Sequence, residues 1–142
     1  MACANRLITL VPPWMREIRA AMRDAAPEGL SVPLFRGLIF ARKQPGGSVT
    51  ELAAHLGVSV PTASVAVDKL VAAGLLDSRT EADNRRRRAL FLTPDGERVV
   101  ADALTHTNAV FEQRLTPLDT PALQQVLAAL AVLEPLLVPG GG

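Results

Sequence analysis

The sequence predicts a mainly α-helical chain with one small β-hairpin, an α+β fold. The segment 50–74, TELAAHLGVSVPTASVAVDKLVAAG, is typical of two short helices joined by a tight turn. Two strand-like segments, 75–80 and 89–93, follow it around a loop that ends in four consecutive arginines. A helix, a turn, a second helix and a hairpin with a cationic tip together make a winged helix–turn–helix.

Local signals support the helix–turn–helix. Leu52 and Leu56 give its first helix an apolar face, and Gly57 can adopt the left-handed backbone that ends a helix. Ser59 suits the N-cap of the second helix, and Pro61 fits the first turn, where its missing N–H costs no hydrogen bond. An ordinary helical hairpin would show the same spacing, so the wing decides between the two interpretations.

The second helix has different residues on its two sides. Small and apolar residues, namely Ala63, Ala66, Val67 and Leu70, should face inward. A slim helix with a partly hydroxylated outer side can enter a DNA major groove and reach base edges. The residues assigned to that outer side are Ser59, Val60, Pro61, Thr62, Ser64 and Val65, with Lys69 further along.

The wing concentrates positive charge in a chain whose net charge is only +1. Residues 79–88 contain five arginines and two acidic residues, which gives 5 − 2 = +3. Such a focus can contact phosphates, and arginine fits a narrow minor groove. In isolation the run would indicate a solvated charged turn; beside a helix of this kind it favours DNA contact by Arg85, Arg86, Arg87 and Arg88.

Helices flank the winged segment on both sides. Residues 5–26 and 31–43 are predicted helices, with Pro12-Pro13 either starting or bending the first of them. Ser48-Val49 is expected to form a very short strand against the wing, which leaves Thr50 to cap the next helix. Thr93-Pro94-Asp95 should open a long helix to about Leu115, and Asp119 should cap the last helix.

The first and last helices carry apolar stripes that a small winged core cannot cover. A second copy of the chain would bury them, and a two-fold dimer would place two recognition helices about one DNA turn, ~34 Å, apart. The alternative is a monomer whose flanking helices fold back on their own core. The expected division is 1–47 for supporting and dimerisation helices, 48–93 for the DNA-binding core, 94–138 for dimerisation helices and 139–142 for a tail.

Composition argues against several other classes. Cys3 is the only cysteine, so an intrachain disulfide is excluded, and no segment is long and apolar enough to span a bilayer. No signal-peptide cleavage pattern is present, so we expect a cytoplasmic protein without a membrane partner. Two histidines without neighbouring ligands, no glycine-rich phosphate loop and no paired carboxylates predict no enzyme activity, no metal and no cofactor.

With these motifs, LAAHLGVSVPTASVAVDKLVAAGLL, DNRRRR and LTPDGERV, nearly the whole chain resembles the MarR family of transcriptional regulators. The resemblance implies a homodimer, formed by the terminal helices, that binds a palindromic double-stranded DNA operator, most often as a repressor. Many members release DNA when a small phenolic or lipophilic molecule binds between the dimer and DNA-binding regions. Others respond to cysteine oxidation.

The resemblance also implies roles for individual residues. Ser59, Pro61, Thr62, Ser64 and Val65 would lie in or at the major groove, and Arg85 with its neighbours would enter the minor groove. Asp83 would steady a wing arginine through a salt bridge. Many relatives have Arg where this chain has Val65, so Val65 could contact a thymine methyl in place of guanine.

Two further hypotheses concern regulation. A ligand pocket is expected where the first, second and fifth predicted helices meet the winged core, with Trp14, Met15, Phe35, Arg36 and Phe40 as its candidate residues. Residues of these types belong to a plain core more often than to a ligand pocket. Cys3 is interpreted as an incidental thiol, because only Arg6 lies near it in the sequence. The rival function is a winged helix that binds protein, for which Val60, Pro61 and Val65 would supply an apolar face.

Overall fold

A computed structural model describes residues 1–84 and 86–137. The described chain is mostly helical, with one small antiparallel sheet, so the predicted fold class is confirmed. Its elements are α1 (Ala2–Ala25), α2 (Val32–Lys43), β1 (Gly47–Ser48), α3 (Val49–Leu56), α4 (Val60–Ala72), β2 (Leu76–Thr80), β3 (Arg88–Leu92), α5 (Pro94–Leu115), α6 (Thr120–Leu133) and a 3-10 turn (Glu134–Leu136). Residues 139–142, the predicted tail, lie outside the described residues.

The chain divides into two compact units, Met1–Thr107 and Asn108–Gly142. The first unit contains the elements from α1 to β3 and the first part of α5. The second unit contains the end of α5, then α6 and the 3-10 turn. Over the described residues, no helix combines the length and apolar character that crossing a bilayer requires.

The helix–turn–helix is α3 and α4, and their predicted ends are largely confirmed. Gly57 follows α3 with a left-handed backbone (φ 71°), and the Ser59 side chain accepts a hydrogen bond from the Thr62 N–H at the start of α4. The cap of α3 was predicted wrongly as Thr50. Ser48 caps this helix, because its hydroxyl accepts from the Glu51 N–H while the Glu51 carboxylate accepts from the Ser48 N–H, which satisfies two donors at once.

The three strands form one sheet in the order β1-β3-β2, all antiparallel. Gly47 pairs with Leu90, and Leu76 pairs with Leu92. The predicted short strand before α3 is therefore confirmed, one residue earlier than expected. Leu90 is fully buried and Leu92 packs against the core, as strand alternation predicts.

The core of the first unit lies between α2, α3, α4 and the inner face of the sheet. The residues that fill it most completely are Leu38, Leu52, Leu70, Leu76, Leu90, Val67 and Val100. Ala63 is fully buried too, and this small side chain lets α4 pack close to its neighbours. Packing on three sides fixes α4 while its remaining side faces solvent.

Helix α1 is continuous through Pro12 and Pro13. The alternative in which the helix begins at these prolines is wrong, because α1 begins at Ala2. Each proline removes one backbone donor, and the helix tolerates that loss here. Several large apolar side chains of α1 are exposed in the single chain: Ile8, Leu10, Val11, Trp14 and Met15.

None of the described residues of the second unit is buried in the single chain. Asp119 accepts a hydrogen bond from the Ala122 N–H at 2.9 Å, which confirms the predicted cap of α6. No residue of α6 is buried. Its exposed large apolar residues include Val126, Leu127, Leu130 and Val132.

Candidate nucleic-acid interface

The solvent side of α4 carries the residues that the sequence assigned to DNA. Ser59, Pro61, Thr62, Val65 and Lys69 are exposed, and Ser64 is half-buried. Val65 is the most exposed of the large apolar residues of this helix, with 54% of its surface exposed. The side therefore offers hydroxyls and small apolar groups at the surface, a combination that can meet both base edges and thymine methyls.

Hydroxyls at the start of α4 are linked to each other. The Ser59 and Thr62 side-chain oxygens lie 2.9 Å apart, and Ser59 also caps the helix through the Thr62 N–H. This pairing fixes the position of both hydroxyls at the tip of the helix.

Asn84 organises the wing turn. Its side-chain oxygen accepts from the Arg86 N–H at 3.1 Å, and its carbonyl accepts from the Arg87 N–H at 3.0 Å. Asp83, for which the family resemblance implies a supporting salt bridge, forms no ion pair with Arg86, Arg87 or Arg88 in the described chain. Arg85, the other arginine of that prediction, lies outside the described residues.

Arg87 joins the wing to the start of α3. Its guanidinium forms ion pairs with Glu81 and with Glu51, the latter at 3.2 Å, and donates to the Gly46 carbonyl at 3.3 Å. Hydrogen bonding from Ser48, with further bonds and attraction from Arg87, lowers the pKa of Glu51. Glu51 and Glu81 in turn raise the pKa of Arg87.

Arg88 joins the wing to α4. Its Nε donates to the Ser78 hydroxyl at 2.8 Å, Nη1 donates to the Ser64 hydroxyl at 3.2 Å, and Nη2 pairs with the Asp68 carboxylate at 3.0 Å. Three elements, α4, β2 and β3, therefore meet at one guanidinium. The side chain of Arg88 is 30% exposed, whereas that of Asp68 is 66% exposed.

Arg86 differs from these two neighbours. The residue is exposed, and within the described chain its guanidinium has no acidic partner. The four-arginine run therefore contains at least two kinds of residue: Arg87 and Arg88 bind protein carboxylates, and Arg86 projects into solvent. Sequence reasoning missed this division, because Glu51 and Asp68 lie 36 and 20 residues from their arginines.

A cleft of about 400 Å³ lies between the starts of α3 and α4 and the wing. Its lining is Ser48, Val49, Thr50, Val60, Ser64, Asn84, Arg86, Arg87 and Arg88. Hydroxyl and guanidinium groups are the donors that proteins most often present to phosphate and sugar oxygens. The cleft is thus chemically suited to a nucleic-acid backbone running between the helix and the wing.

The residues predicted for a ligand pocket differ in burial and lie on two helices, α1 and α2. Phe35 and Phe40 are buried, and Phe40 belongs to the core cluster. Arg36 donates to the carbonyl of His55 at 3.3 Å. Trp14 and Met15 lie on α1 with 37% of each surface exposed.

Burial, with positive charge on Arg36 and Lys43, lowers the pKa of His55.

Possible metal ligands of this chain include its histidines, its acidic residues and its single cysteine, Cys3. Among the described residues, no three or more His, Cys, Asp and Glu side chains are grouped so that they could hold a metal ion. Cys3 is a free, exposed thiol near the start of α1.

The sequence and the fold are similar to those of known proteins. A model of the MarR family matches residues 29–87. HTH-type transcriptional regulator BilQ from Clostridium symbiosum (strain WAL-14163) is 34% identical over 76 residues, 54% of this chain and 53% of that protein, so the chain spans about half the length of this relative. The transcriptional regulator Tm0710 from Thermotoga maritima superposes with a TM-score of 0.77 at 23% identity, covering 96% of this chain and 94% of the other.

A further solved structure is that of BpsR from Bordetella bronchiseptica. It shares 18% identity and a TM-score of 0.62 over 91% of this chain and 98% of that one. In BpsR, 6-hydroxynicotinic acid regulates DNA binding. At these identities, the structural likenesses concern the fold.

The order α3, turn, α4, β2, wing, β3 defines a winged helix–turn–helix protein. The MarR family model matches residues 29–87, which include α3, α4, β2 and the wing turn, and the matching relative is named a transcriptional regulator, so this part of the chain is similar to MarR-family regulators.

Proposed function

We propose that the protein is a sequence-specific regulator of transcription that binds double-stranded DNA as a homodimer on a palindromic operator, acting as a repressor. The observation that carries this proposal is the exposed, partly hydroxylated side of α4 beside a wing with a solvent-facing Arg86. The match of residues 29–87 to the MarR family model supports it. An enzymatic role has no support from the relatives, which are regulators.

In the proposed complex, α4 lies in the major groove. Ser59, Pro61, Thr62, Ser64 and Val65 face base edges or the adjoining backbone, and Lys69 approaches a phosphate. Arg86, with Arg85, extends to the minor groove or its phosphates. The segment 48–93 is then the DNA-binding core.

Dimerisation is proposed for segments 1–47 and 94–138. The support is that α1 and α6 each expose large apolar side chains in the single chain; Ile8 is 72% exposed and Leu127 is 66% exposed. Exposed apolar surface of this extent marks interaction sites in soluble proteins. A two-fold dimer would present one α4 to each half of a palindrome.

Control by a small aromatic or lipophilic ligand is a further part of the proposal. Its support is that 6-hydroxynicotinic acid regulates DNA binding in BpsR, a protein with a similar fold. A thermal-shift panel of aromatic acids tests it: a compound that raises the unfolding temperature and weakens DNA binding supports the proposal. A panel in which no compound does either contradicts it.

The DNA-binding proposal is tested by titrating labelled duplex DNA from upstream of the protein's own gene at several salt concentrations. We expect binding that weakens steeply as salt rises, because bound arginines and lysines release counterions from phosphates. Arg86→Ala should lower the slope of log affinity against log salt by about 1. An unchanged slope would remove Arg86 from the interface.

A second candidate function is a winged helix that binds protein. The observation that favours it is the exposure of Val60 (45%) and Val65 (54%) on the outer side of α4. The same titration separates the two functions, because a protein-binding module would ignore every duplex at low ionic strength.

A further inference from the structure

We propose that Arg88 is a positioning and specificity-determining residue and not a DNA contact: it sets the Ser64 hydroxyl to donate a hydrogen bond to a base-edge acceptor in the major groove. The inference rests on the proposed function, because it concerns how α4 would read DNA. It separates Arg88 from Arg86, two residues that the sequence cannot distinguish.

The guanidinium of Arg88 already has protein hydrogen-bond acceptors. Its Nε, Nη1 and Nη2 each have a protein acceptor, on Ser78, Ser64 and Asp68 respectively. A phosphate could take this guanidinium only by displacing the Asp68 carboxylate, which lies 3.0 Å away. Arginine forms its strongest bonds with carboxylate and phosphate alike, so the internal partner competes directly with DNA.

The same contacts bear on the geometry of α4. Ser64 and Asp68 are four residues apart, which places them one turn apart on the same side of the helix. Arg88 bonds both of them while its Nε holds Ser78 on β2. The guanidinium is planar, so these three bonds fix where the middle of α4 lies relative to the sheet.

The bond with Arg88 also bears on the polarity of the Ser64 hydroxyl. Arginine has only donors, so the Ser64 oxygen must accept in the bond with Arg88. The hydroxyl proton then points to another acceptor, and within the described chain no hydrogen bond from Ser64 uses it. In the major groove the acceptors are guanine O6 and N7, adenine N7 and thymine O4, whereas the amino groups of cytosine and adenine are donors.

Loss of Arg88 should therefore affect sequence preference and not counterion release. Without the guanidinium, the Ser64 hydroxyl can rotate to donate or accept, and α4 loses its link to Ser78. Discrimination at the base pair facing Ser64 should fall by about 5- to 150-fold, the range that one good base contact supplies.

The experiment uses the full chain and a duplex selected by the wild-type protein from a random library. Affinities for single-base variants of that duplex give the preference at each position, and a salt series gives the slope. Arg88→Ala and Ser64→Ala should relax preference at the same position of each half-site, with the wild-type slope. The double variant should relax the base preference no further, because each single change already removes the same base contact, that of the Ser64 hydroxyl.

Arg86→Ala is the matched control, since it removes the same side chain two residues away. It should lower the slope by about 1 and keep the base preference. Circular dichroism of each variant at the assay temperature verifies folding. If Arg88→Ala does not fold, Arg88→Lys replaces it, because lysine keeps the charge but cannot make three planar bonds.

Different results would contradict the role of Arg88 and the proposed function. The inference is overturned if Arg88→Ala lowers the slope and keeps the preference, if it weakens all duplexes equally, or if its effect adds to that of Ser64→Ala. The same holds if Arg88→Lys keeps the full preference. If the wild-type protein shows no preference among duplexes, the proposed function fails first and the inference with it.

Discussion

Three consecutive arginines of the wing make different contacts. Arg87 binds Glu51 and Glu81, Arg88 binds Asp68, and Arg86 is exposed to solvent. Exposed ion pairs contribute little to stability on their own, but networks that join separate elements fix geometry. The local charge of the wing is therefore smaller than the count of arginines suggests, and its phosphate-binding capacity is expected to come chiefly from residues without acidic partners.

Glu51 leads to a prediction about pH. Its pKa in the folded protein is lowered from 4.5, first by the Ser48 hydroxyl and then by Arg87. The folded state thus binds this proton more weakly than the unfolded state, so the stabilisation is present above pH 4.5 and is lost as the pH falls through the lowered pKa.

We expect Glu51→Gln to lower the unfolding temperature at pH 7, with the difference from wild type shrinking as the pH drops below about 4.5. Thermal unfolding followed by circular dichroism between pH 7 and pH 3 measures this. Ser48→Ala should also make the unfolding temperature depend less on pH over this range, because it removes the main cause of the lowered pKa of Glu51. A difference that stays constant at every pH would contradict the assignment.

At the scale of elements, the start of α5 is pressed against the turn that follows α4. Thr93 donates from its side chain to the Gly74 carbonyl at 2.7 Å and accepts from the Gly96 N–H at 3.0 Å. A β-carbon added at Gly96 would lie 2.1 Å from the Leu75 carbonyl oxygen. Only glycine permits this approach.

We predict that Gly96→Ala destabilises the fold by about 3 kcal/mol or more, because the obstructing atom is backbone and cannot rotate away. Gly57→Ala is the comparison: Gly57 has open space but a left-handed backbone, so alanine there should cost about 1–2 kcal/mol. Urea unfolding of both variants gives the two values. A smaller cost at Gly96 than at Gly57 would show that α5 does not approach so closely.

The elements with strong local signals were predictable from the sequence. Gly57, Ser59 and Asp119 were placed at helix ends because each provides its own backbone or side-chain solution to the unpaired groups there. The expected strand at Ser48-Val49 leaves Thr50 as the predicted cap of α3, whereas in the structure β1 ends at Ser48 and the same residue caps the helix. The reciprocal bonds between Ser48 and Glu51 identify Ser48 as the cap, directly after Gly47, which pairs with Leu90.

Contacts between distant residues were not predictable. The pairing of Arg88 with Asp68 depends on how a strand register brings β3 beside α4, and no local pattern encodes it. The role implied for Asp83 stays a prediction, because Arg85 lies outside the described residues, while Asn84 accepts a hydrogen bond from the Arg86 N–H. The candidate pocket residues were chosen by type, and buried aromatic residues such as Phe40 are equally suited to a core.

At the scale of the whole molecule, the proposed dimer predicts that a charge on α6 separates the subunits. Leu127 is 66% exposed in the single chain. Leu127→Glu should convert a dimer into a monomer in sedimentation experiments, because burying an unpaired carboxylate at an apolar interface is costly. The matched control is Val71→Glu, at a 39% exposed valine of α4, which should remain dimeric.

A Leu127→Glu protein that sediments like wild type would place the interface elsewhere. A wild-type protein that is monomeric at micromolar concentration would remove the dimer altogether.

The claim on which the rest depends is that α4 and the wing read duplex sequence. The most direct measurement is the ratio of affinities for a duplex selected by the protein and for a scrambled duplex of equal length, at about 150 mM salt. A specific regulator should prefer the selected duplex by about 10³-fold or more. Equal affinity for the two duplexes would contradict sequence-specific recognition.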